Sequence, residues 1–97
     1  MLFRSASFAG ESWVQNTKIS YVEFHGNQFT VSFDDAHTSN GCGHPGSVAA
    51  MDTSTEPGKT YYSFFLAAYA AGKTVSVRVT DAACFGDRPT ILQIQGH

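Results

Sequence analysis

Side chains that can bind a metal or act as nucleophiles are concentrated in one polar loop of the chain. Within eleven residues this loop holds two carboxylates, two imidazoles and one thiol: Asp34, Asp35, His37, Cys42 and His44. Zinc prefers these ligand types, and a thiol near an imidazole is one requirement for a cysteine nucleophile. However, no second ligand pair with regular spacing accompanies them. The pattern therefore favours a solvated loop without a metal or cofactor, and leaves a metal site using His37 and His44 as an alternative.

A second group of polar side chains follows one face of a predicted strand. Tyr21, Glu23 and His25 are spaced two residues apart, so strand periodicity places them on the same side. A carboxylate beside an imidazole is capable of acid–base catalysis, but on an exposed sheet it is more often ordinary polar surface. A binding face is the third interpretation, in which Tyr21, Glu23, His25 and Thr30 hydrogen-bond a sugar.

The single tryptophan of the chain is a further candidate for ligand contact. Trp13 lies in the segment Glu11-Ser12-Trp13-Val14, which has the pattern of an edge strand. A tryptophan at this place either packs into the core or provides a stacking surface for a ligand. No phosphate-binding glycine loop, Gly-x-Ser-x-Gly elbow or paired Cys-x-x-Cys motif is present. The sequence therefore favours a binding protein over an enzyme.

The two cysteines predict a disulfide. Cys42 and Cys84 both lie among glycines, in sequence typical of turns, whereas structural free cysteines usually lie in apolar segments. A bond between them closes a loop of about 40 residues and is worth about 4 kcal/mol in the chain-entropy model. A disulfide together with few charges predicts a secreted or periplasmic protein.

The first ten residues are compatible with two interpretations. No apolar segment of the kind found in signal peptides follows Met1-Leu2-Phe3-Arg4, although Ser7-Phe8-Ala9 resembles the small-x-small pattern of a cleavage site. Either most of an export signal is missing from this sequence, or residues 1–10 are ordinary N-terminal structure.

Length and charge bound the possible functions. The chain has 97 residues, which predicts a single domain over 1–97, and its net charge is −2. Its six lysines and arginines are scattered, so binding to nucleic acid through phosphate neutralisation is not expected. The longest apolar stretch is about a dozen residues, too short for insertion into a membrane.

A β-hairpin is the best-defined element of the sequence. Residues 19–24 and 29–33 alternate between apolar and polar, and Gly26-Asn27 between them suits a two-residue turn. This turn fixes the register. It predicts the pairs Phe24–Phe29, Val22–Val31 and Ser20–Phe33 on an apolar face, with Tyr21, Glu23 and His25 opposite Ser32, Thr30 and Gln28 on a polar face.

The remaining pattern predicts three more strands and one helix. Strands are expected over residues 47–53, from Val75 and over 90–95, with Cys84 in the loop before the last. The helix is expected from Thr60, as N-cap, to Ala71, followed by Gly72, with a buried stripe of Tyr62, Phe65, Leu66 and Tyr69. The fold class is mainly β with one helix (α+β), in the order β-β-β-α-β-β. It corresponds either to a five-stranded OB-fold-like barrel or to an open antiparallel sheet packed by one helix.

The segment from Tyr61 to Val79 resembles part of a family of bacterial toxin subunits. An aromatic-rich helix that ends at Gly72 and passes directly into the strand Thr74–Val79 is similar to the second half of the cell-binding B subunit of subtilase-type and pertussis-like toxins. The segment also looks similar to a wider group of small exported bacterial proteins. In those proteins a cysteine follows the next strand, at the place that Cys84 has in this chain. The resemblance implies an OB-fold that forms rings and binds surface glycans. It transfers no sugar-contacting residue to the N-terminal half of this chain.

The leading hypothesis is an exported, non-enzymatic module that binds a glycan as a homo-oligomer. Two other classes stay open: a small enzyme or metal protein that uses the histidine-containing loop, and a structural or protein-interaction domain without a small ligand.

Overall fold

The computed structural model describes residues 10–43 and 46–97, which form six strands and one helix. All six strands belong to one mixed sheet with the order β1-β5-β6-β4-β3-β2. The predicted fold class, mainly β with one helix packed on an open sheet, is confirmed. The sheet has six strands rather than five, because residues 11–17, which have the pattern of an edge strand, form β1, and it is mixed rather than antiparallel. The elements are β1 (Glu11–Thr17), β2 (Ile19–His25), β3 (Gln28–Phe33), β4 (Val48–Asp52), α1 (Gly58–Ala71), β5 (Val75–Phe85) and β6 (Arg88–Gly96).

The two edge strands of the sheet are consecutive in the chain. Only Lys18 separates β1 from β2, and the preceding Asn16 has a φ of 50°, a left-handed conformation that asparagine tolerates better than most residues. Because β1 and β2 occupy opposite edges, the sheet must curl until these edges meet at Lys18. In the described part of the chain no ladder joins β1 to β2, so the sheet is open along this seam.

Counting β1 and β2 as two halves of one bent strand gives a familiar connectivity. The resulting five strands are antiparallel except for the β4–β6 pair, whose register joins Ala50 to Thr90 in parallel. The helix follows the third of these five strands. This is the strand order of the OB-fold, which is described as a partly open Greek-key barrel.

The β2–β3 hairpin has the register that its turn predicts, apart from one end. Phe24 pairs with Phe29, Val22 with Val31, and Glu23 with Thr30. The expected pair of Ser20 with Phe33 is wrong, since a bulge at Ser20 moves Ile19 opposite Phe33. The Ser20 hydroxyl instead donates to the Asp34 carboxylate at 2.5 Å, which gives the extra residue a polar partner outside the ladder.

The core is formed where the helix covers the curled sheet. Phe65 is fully buried and packs against Phe29 and Phe33, with ring centroids 6.3 and 6.2 Å apart. Val75, Val77 and Val79 of β5 are also fully buried, as their alternation predicts.

Only part of the expected helical stripe is buried. Tyr62 and Leu66 are half-buried, Tyr69 is 44% exposed, and Ala68 is buried instead. The helix contacts mainly β2 and β4, so one narrow face of its middle meets the sheet. The stripe prediction is therefore correct for Phe65 and wrong for Tyr69, one turn further on.

Both helix ends are set by backbone requirements. The helix begins at Gly58 rather than Thr60, because the Tyr61 N–H already donates to the Pro57 carbonyl at 3.0 Å. The Glu56 carboxylate accepts the Thr60 N–H at 3.1 Å and the Thr60 hydroxyl at 2.8 Å. A Cβ at Gly58 would lie 1.8 Å from the carbonyl oxygen of Asp52, so this position requires glycine. At the other end Gly72 is left-handed, with a φ of 66°, which confirms its predicted role.

Candidate functional site

The predicted disulfide is present. Cys42 and Cys84 are bonded, with their Cα atoms 5.7 Å apart. Cys84 lies near the end of β5, paired with Pro89, and not in a loop as expected. The strand runs on to Phe85 because the turn to β6 is confined to Gly86 and Asp87. The disulfide therefore joins the loop after β3 to the β5–β6 hairpin.

The residues after β3, 34–43, form what we call the tethered loop, and its histidine has a structural role. His37 is 3% exposed, with Nε2 2.7 Å from the Val48 carbonyl oxygen and Nδ1 3.2 Å from the Ser39 backbone nitrogen. Nε2 must therefore donate and Nδ1 accept, which leaves neither nitrogen for a metal.

The other chemistry-bearing residues of the tethered loop do not assemble a site either. Cys42 is oxidised, so the thiol-nucleophile alternative is wrong, and His44 lies outside the described residues. Across residues 10–43 and 46–97, no three or more His, Cys, Asp or Glu side chains are grouped as metal ligands.

A buried aspartate also holds the tethered loop in place. Asp81 on β5 is 8% exposed, and its carboxylate accepts the Gly10 N–H at 2.5 Å and the Gly41 N–H at 2.8 Å. A Cβ at Gly41 would lie 2.8 Å from this carboxylate. The role of Asp81 was not predictable, because its only signal in the sequence is a carboxylate next to a valine-rich strand.

A cavity of about 270 Å³ lies beside the β5–β6 hairpin. Its walls come from the end of β4, the β4–α1 loop, the first turn of α1 and the β5–β6 hairpin, so segments far apart in sequence build it. Its lining consists of Met51, Asp52, Thr55, Glu56, Pro57, Gly58, Tyr61, Cys84, Phe85, Thr90 and Ile91.

Two carboxylates of the cavity are held in fixed positions by their own loop. One oxygen of Asp52 accepts both the backbone N–H of Ser54, at 2.8 Å, and the Ser54 hydroxyl, at 2.6 Å. The pKa of Asp52 is lowered below its ordinary value of 3.8, mainly by the bond from the Ser54 hydroxyl and next by the bond from the Ser54 backbone N–H. One oxygen of Glu56 is similarly occupied by Thr60. Within the described residues no protein group donates to the second oxygen of either carboxylate.

Aromatic and aliphatic side chains also line the cavity. The Tyr61 hydroxyl donates to the Leu92 carbonyl at 3.3 Å, which fixes its ring between the helix and β6. Phe85 is half-buried, and Met51 and Ile91 are buried. The lining of the cavity therefore combines apolar surface with hydrogen-bond acceptors, as is usual in small-molecule sites.

The binding residues expected from the sequence are not brought together. Tyr21, Glu23 and His25 are exposed on the edge strand β2 as predicted, whereas Thr30 is 2% exposed. The predicted exposure of Thr30 is wrong because it lies on β3, flanked by Glu23 on one side and Ala50 on the other. Trp13 lies on the opposite edge strand, β1. None of these residues lines the cavity.

Trp13 instead belongs to a separate polar surface. Its register partner on β5 is Arg78, whose partner on β6 is Gln93. Arg78 Nε donates to Glu11 Oε1 at 2.8 Å, a second guanidinium nitrogen contacts the same oxygen, and Arg78 Nη1 donates to Gln93 at 3.2 Å. We call Glu11, Trp13, Arg78 and Gln93 the Trp13 face.

A second cavity, of about 330 Å³, lies beside the end of the helix. It is largely apolar and is lined by Phe64, Ala67, Ala68, Ala71, Lys73, Thr74, Gly96 and His97. The small alanine side chains and Gly96 leave this space open along one side of the helix.

No protein-family model, curated protein or solved structure matches this chain. Among the described residues, no helix has both the length and the apolar character needed to span a membrane.

Proposed function

We propose that this protein is a non-enzymatic binding module that recognises a glycan in the 270 Å³ cavity. The observation that carries the proposal is the composition of that cavity. Two positioned carboxylates, Asp52 and Glu56, line it together with the aromatic rings of Tyr61 and Phe85. A sugar ring has the matching character, with hydroxyl donors around its rim and C–H groups on its faces.

The position of the cavity in the fold supports this ligand class. In OB-folds, oligosaccharides and oligonucleotides are bound by the face of strands 2 and 3 and by the loops that follow strands 1 and 4. With β1 and β2 counted as one strand, the β5–β6 hairpin is the loop after strand 4, and it forms one wall of the cavity. An oligonucleotide is disfavoured because the cavity carries carboxylates rather than lysine or arginine.

The carboxylates also indicate the charge of the glycan. Asp52 is ionised at neutral pH, and an acidic sugar such as sialic acid would bring a like charge next to it. Like charges in close contact are unfavourable. We therefore propose a neutral glycan whose hydroxyl groups donate to the free oxygens of Asp52 and Glu56.

Binding fits the cavity better than hydrolysis of the same ligand. A glycosidase needs one carboxyl with a raised pKa to protonate the leaving group. The pKa of Asp52 is shifted in the opposite direction, because Ser54 donates two hydrogen bonds to it. Asp52 is therefore suited to accepting hydrogen bonds rather than donating a proton.

Export and self-association complete the proposal. The disulfide supports folding in an oxidising compartment, and hence a secreted or periplasmic location. In residues 10–43 and 46–97 no further strand pairs with the outer edges of β1 and β2, and strands of neighbouring copies can pair there. We expect light scattering to give a native mass that is a multiple of the 10.5 kDa chain; a monomer would contradict the homo-oligomer.

A glycan array containing neutral and sialylated oligosaccharides tests the ligand class. We expect binding to neutral glycans and weaker binding to the sialylated form of the same chain. Absence of binding to every glycan on the array would contradict the proposal and favour a protein-interaction domain. Stronger binding to the sialylated forms would contradict the neutral-ligand argument.

The variant Asp52→Asn tests the site. It keeps the oxygen that accepts from Ser54 but replaces the free carboxylate oxygen by an amide, so affinity should fall about tenfold or more, the usual effect of losing a charged hydrogen bond. Glu23→Gln on β2 is the matched control and should bind normally. If Glu23→Gln weakens binding and Asp52→Asn does not, the site is the β2 face and the cavity assignment is wrong.

A further inference from the structure

We propose that the Trp13 face is a second sugar subsite, and that the ligand is therefore a neutral oligosaccharide that extends from the cavity onto the outer face of β1, β5 and β6. This inference rests on the proposed function of the cavity. The inference extends the proposed function by assigning a separate set of binding residues and by requiring a ligand of several linked sugar units.

The first reason is that an exposed indole is surrounded by fixed polar groups. Trp13 is 37% exposed although it is the largest side chain of the protein. Next to it, Arg78 is held between Glu11 and Gln93 by hydrogen bonds to both. Because these contacts fix the guanidinium before a ligand arrives, little side-chain entropy remains to be lost on binding.

The second reason is that the Trp13 face continues from the cavity. Thr90 lines the cavity, and its register partner on β5 is Thr80, which pairs with Glu11. Two residues along β5, on the same face, Arg78 pairs with Gln93 and Trp13. Trp13 is thus two strand spacings across the sheet and two residues along it from Thr90 at the edge of the cavity, a distance of about 12 Å.

The third reason is the size of the cavity. At about 270 Å³ it is smaller than most small-molecule sites and suits one sugar unit rather than a chain. A bound oligosaccharide must then leave the cavity, and Thr90 lies on the route toward the Trp13 face. A single sugar cannot reach both places, so occupation of Trp13 requires several linked units.

The chemistry of the Trp13 face is that of a neutral sugar site. The indole ring offers a flat apolar surface to the C–H face of a pyranose. The amide of Gln93 and the remaining N–H groups of Arg78 can bond to the hydroxyls around its rim. Glu11 balances the charge of Arg78, so this surface carries no net charge and does not select an acidic sugar.

The single tryptophan makes a direct test possible in the unaltered protein. Trp13 is the only tryptophan in the sequence, so tryptophan emission, excited at the red edge where tyrosine does not absorb, reports on this subsite alone. We would titrate the protein with galactose, N-acetyllactosamine and lacto-N-tetraose, together with the neutral glycan that binds best on the array and its terminal monosaccharide. The longer ligands should shift the emission and protect Trp13 from iodide, whereas the monosaccharides should bind without either effect.

Variants separate this inference from the proposed function. Trp13→Ala should weaken the best-bound oligosaccharide about tenfold, corresponding to about 1.4 kcal/mol, and leave the affinity for its terminal monosaccharide unchanged. Trp13→Phe, which keeps a stacking ring, should restore most of the loss. Asp52→Asn should weaken both ligands.

Each outcome identifies which statement fails. If the oligosaccharide binds Trp13→Ala as well as wild type and leaves the tryptophan emission unchanged, the second subsite is wrong while the cavity stands. If Trp13→Ala weakens the monosaccharide to the same extent, Trp13 acts on the whole fold and not as a subsite. If Asp52→Asn changes neither affinity, the cavity assignment fails, and with it the inference.

Discussion

The tethered loop and the β4–α1 loop are both short, polar connections, yet their polar groups are used in different ways. In the tethered loop both ring nitrogens of His37 are hydrogen-bonded to backbone groups, and Cys42 is bonded to Cys84. In the β4–α1 region Asp52 and Glu56 each use one oxygen to fix their own position, and no described residue donates to the second. Residue type therefore identifies a site less well than the hydrogen-bonding capacity that folding leaves unused.

Removing the disulfide should have the largest effect on the tethered loop. A double variant, Cys42→Ser with Cys84→Ser, should lose about 4 kcal/mol of unfolding free energy, the loop-closure entropy of a cross-link spanning 42 residues. Urea unfolding measures the loss, and wild-type protein with a reductant should behave like the variant. Equal stability of the oxidised protein and the double variant would mean that His37 and Asp81 alone hold the loop.

Filling the space at Gly58 should be the most damaging single change beside the cavity. The added Cβ of Gly58→Ala meets the Asp52 carbonyl oxygen, which cannot move without displacing the end of β4. We expect a loss of about 3 kcal/mol in urea melts. Gly10→Ala is the matched control, since no atom lies within 4 Å of its added Cβ. If both variants unfold alike, the β4–α1 loop is not rigid and does not preposition Asp52.

Substituting two histidines in turn compares the contribution of a buried imidazole to stability with that of an exposed one. His37→Ala removes a buried ring and leaves the Val48 carbonyl and the Ser39 N–H without partners, so we expect a loss of about 2 kcal/mol. His25→Ala, on the exposed edge strand, should stay within about 0.5 kcal/mol of wild type. Thermal melts of the pair measure this difference. A larger effect at His25 would place the structural role on the β2 face instead.

The smallest effect should be a pH dependence that originates at Asp52. Its pKa is lowered in the folded protein by the Ser54 hydrogen bonds. Its contribution to stability is therefore present above the unfolded pKa, near 3.8, and is lost as the pH falls through the folded value. Carbon-detected NMR titration should give a pKa below 3.8 for Asp52, and Ser54→Ala should raise it toward that number. An unchanged pKa in Ser54→Ala would mean that Ser54 does not position the carboxylate.

Local patterns predicted the parts of the fold that depend on neighbouring residues. The turn at Gly26-Asn27 fixed the Phe24–Phe29 register, and Gly72 marked the end of the helix, because both depend on backbone conformations that few residues adopt. The disulfide was also predictable, since turn-like surroundings distinguish Cys42 and Cys84 from core cysteines.

Features made by distant segments were not predictable in this way. The cavity combines Asp52 with Phe85 and Thr90, and no periodicity relates these positions. The burial of Thr30 depends on β4 pairing along its other side. Trp13 was identified as a stacking candidate from its type alone, but its association with Arg78 and Gln93 depends on pairs that join β1 to β5 and β5 to β6.

The bend at Lys18 separates two strands that we expect to form at different times during folding. The β2–β3 hairpin on one side of the bend joins residues a few positions apart, whereas β1 on the other side pairs Glu11 with Thr80. Contacts between residues so distant in sequence form slowly, because a long loop must close first. We therefore expect pulse-labelled hydrogen exchange during refolding to protect the hairpin amides early and the β1 amides last. Two strands that are adjacent in the sequence would then belong to the first and the final step of folding.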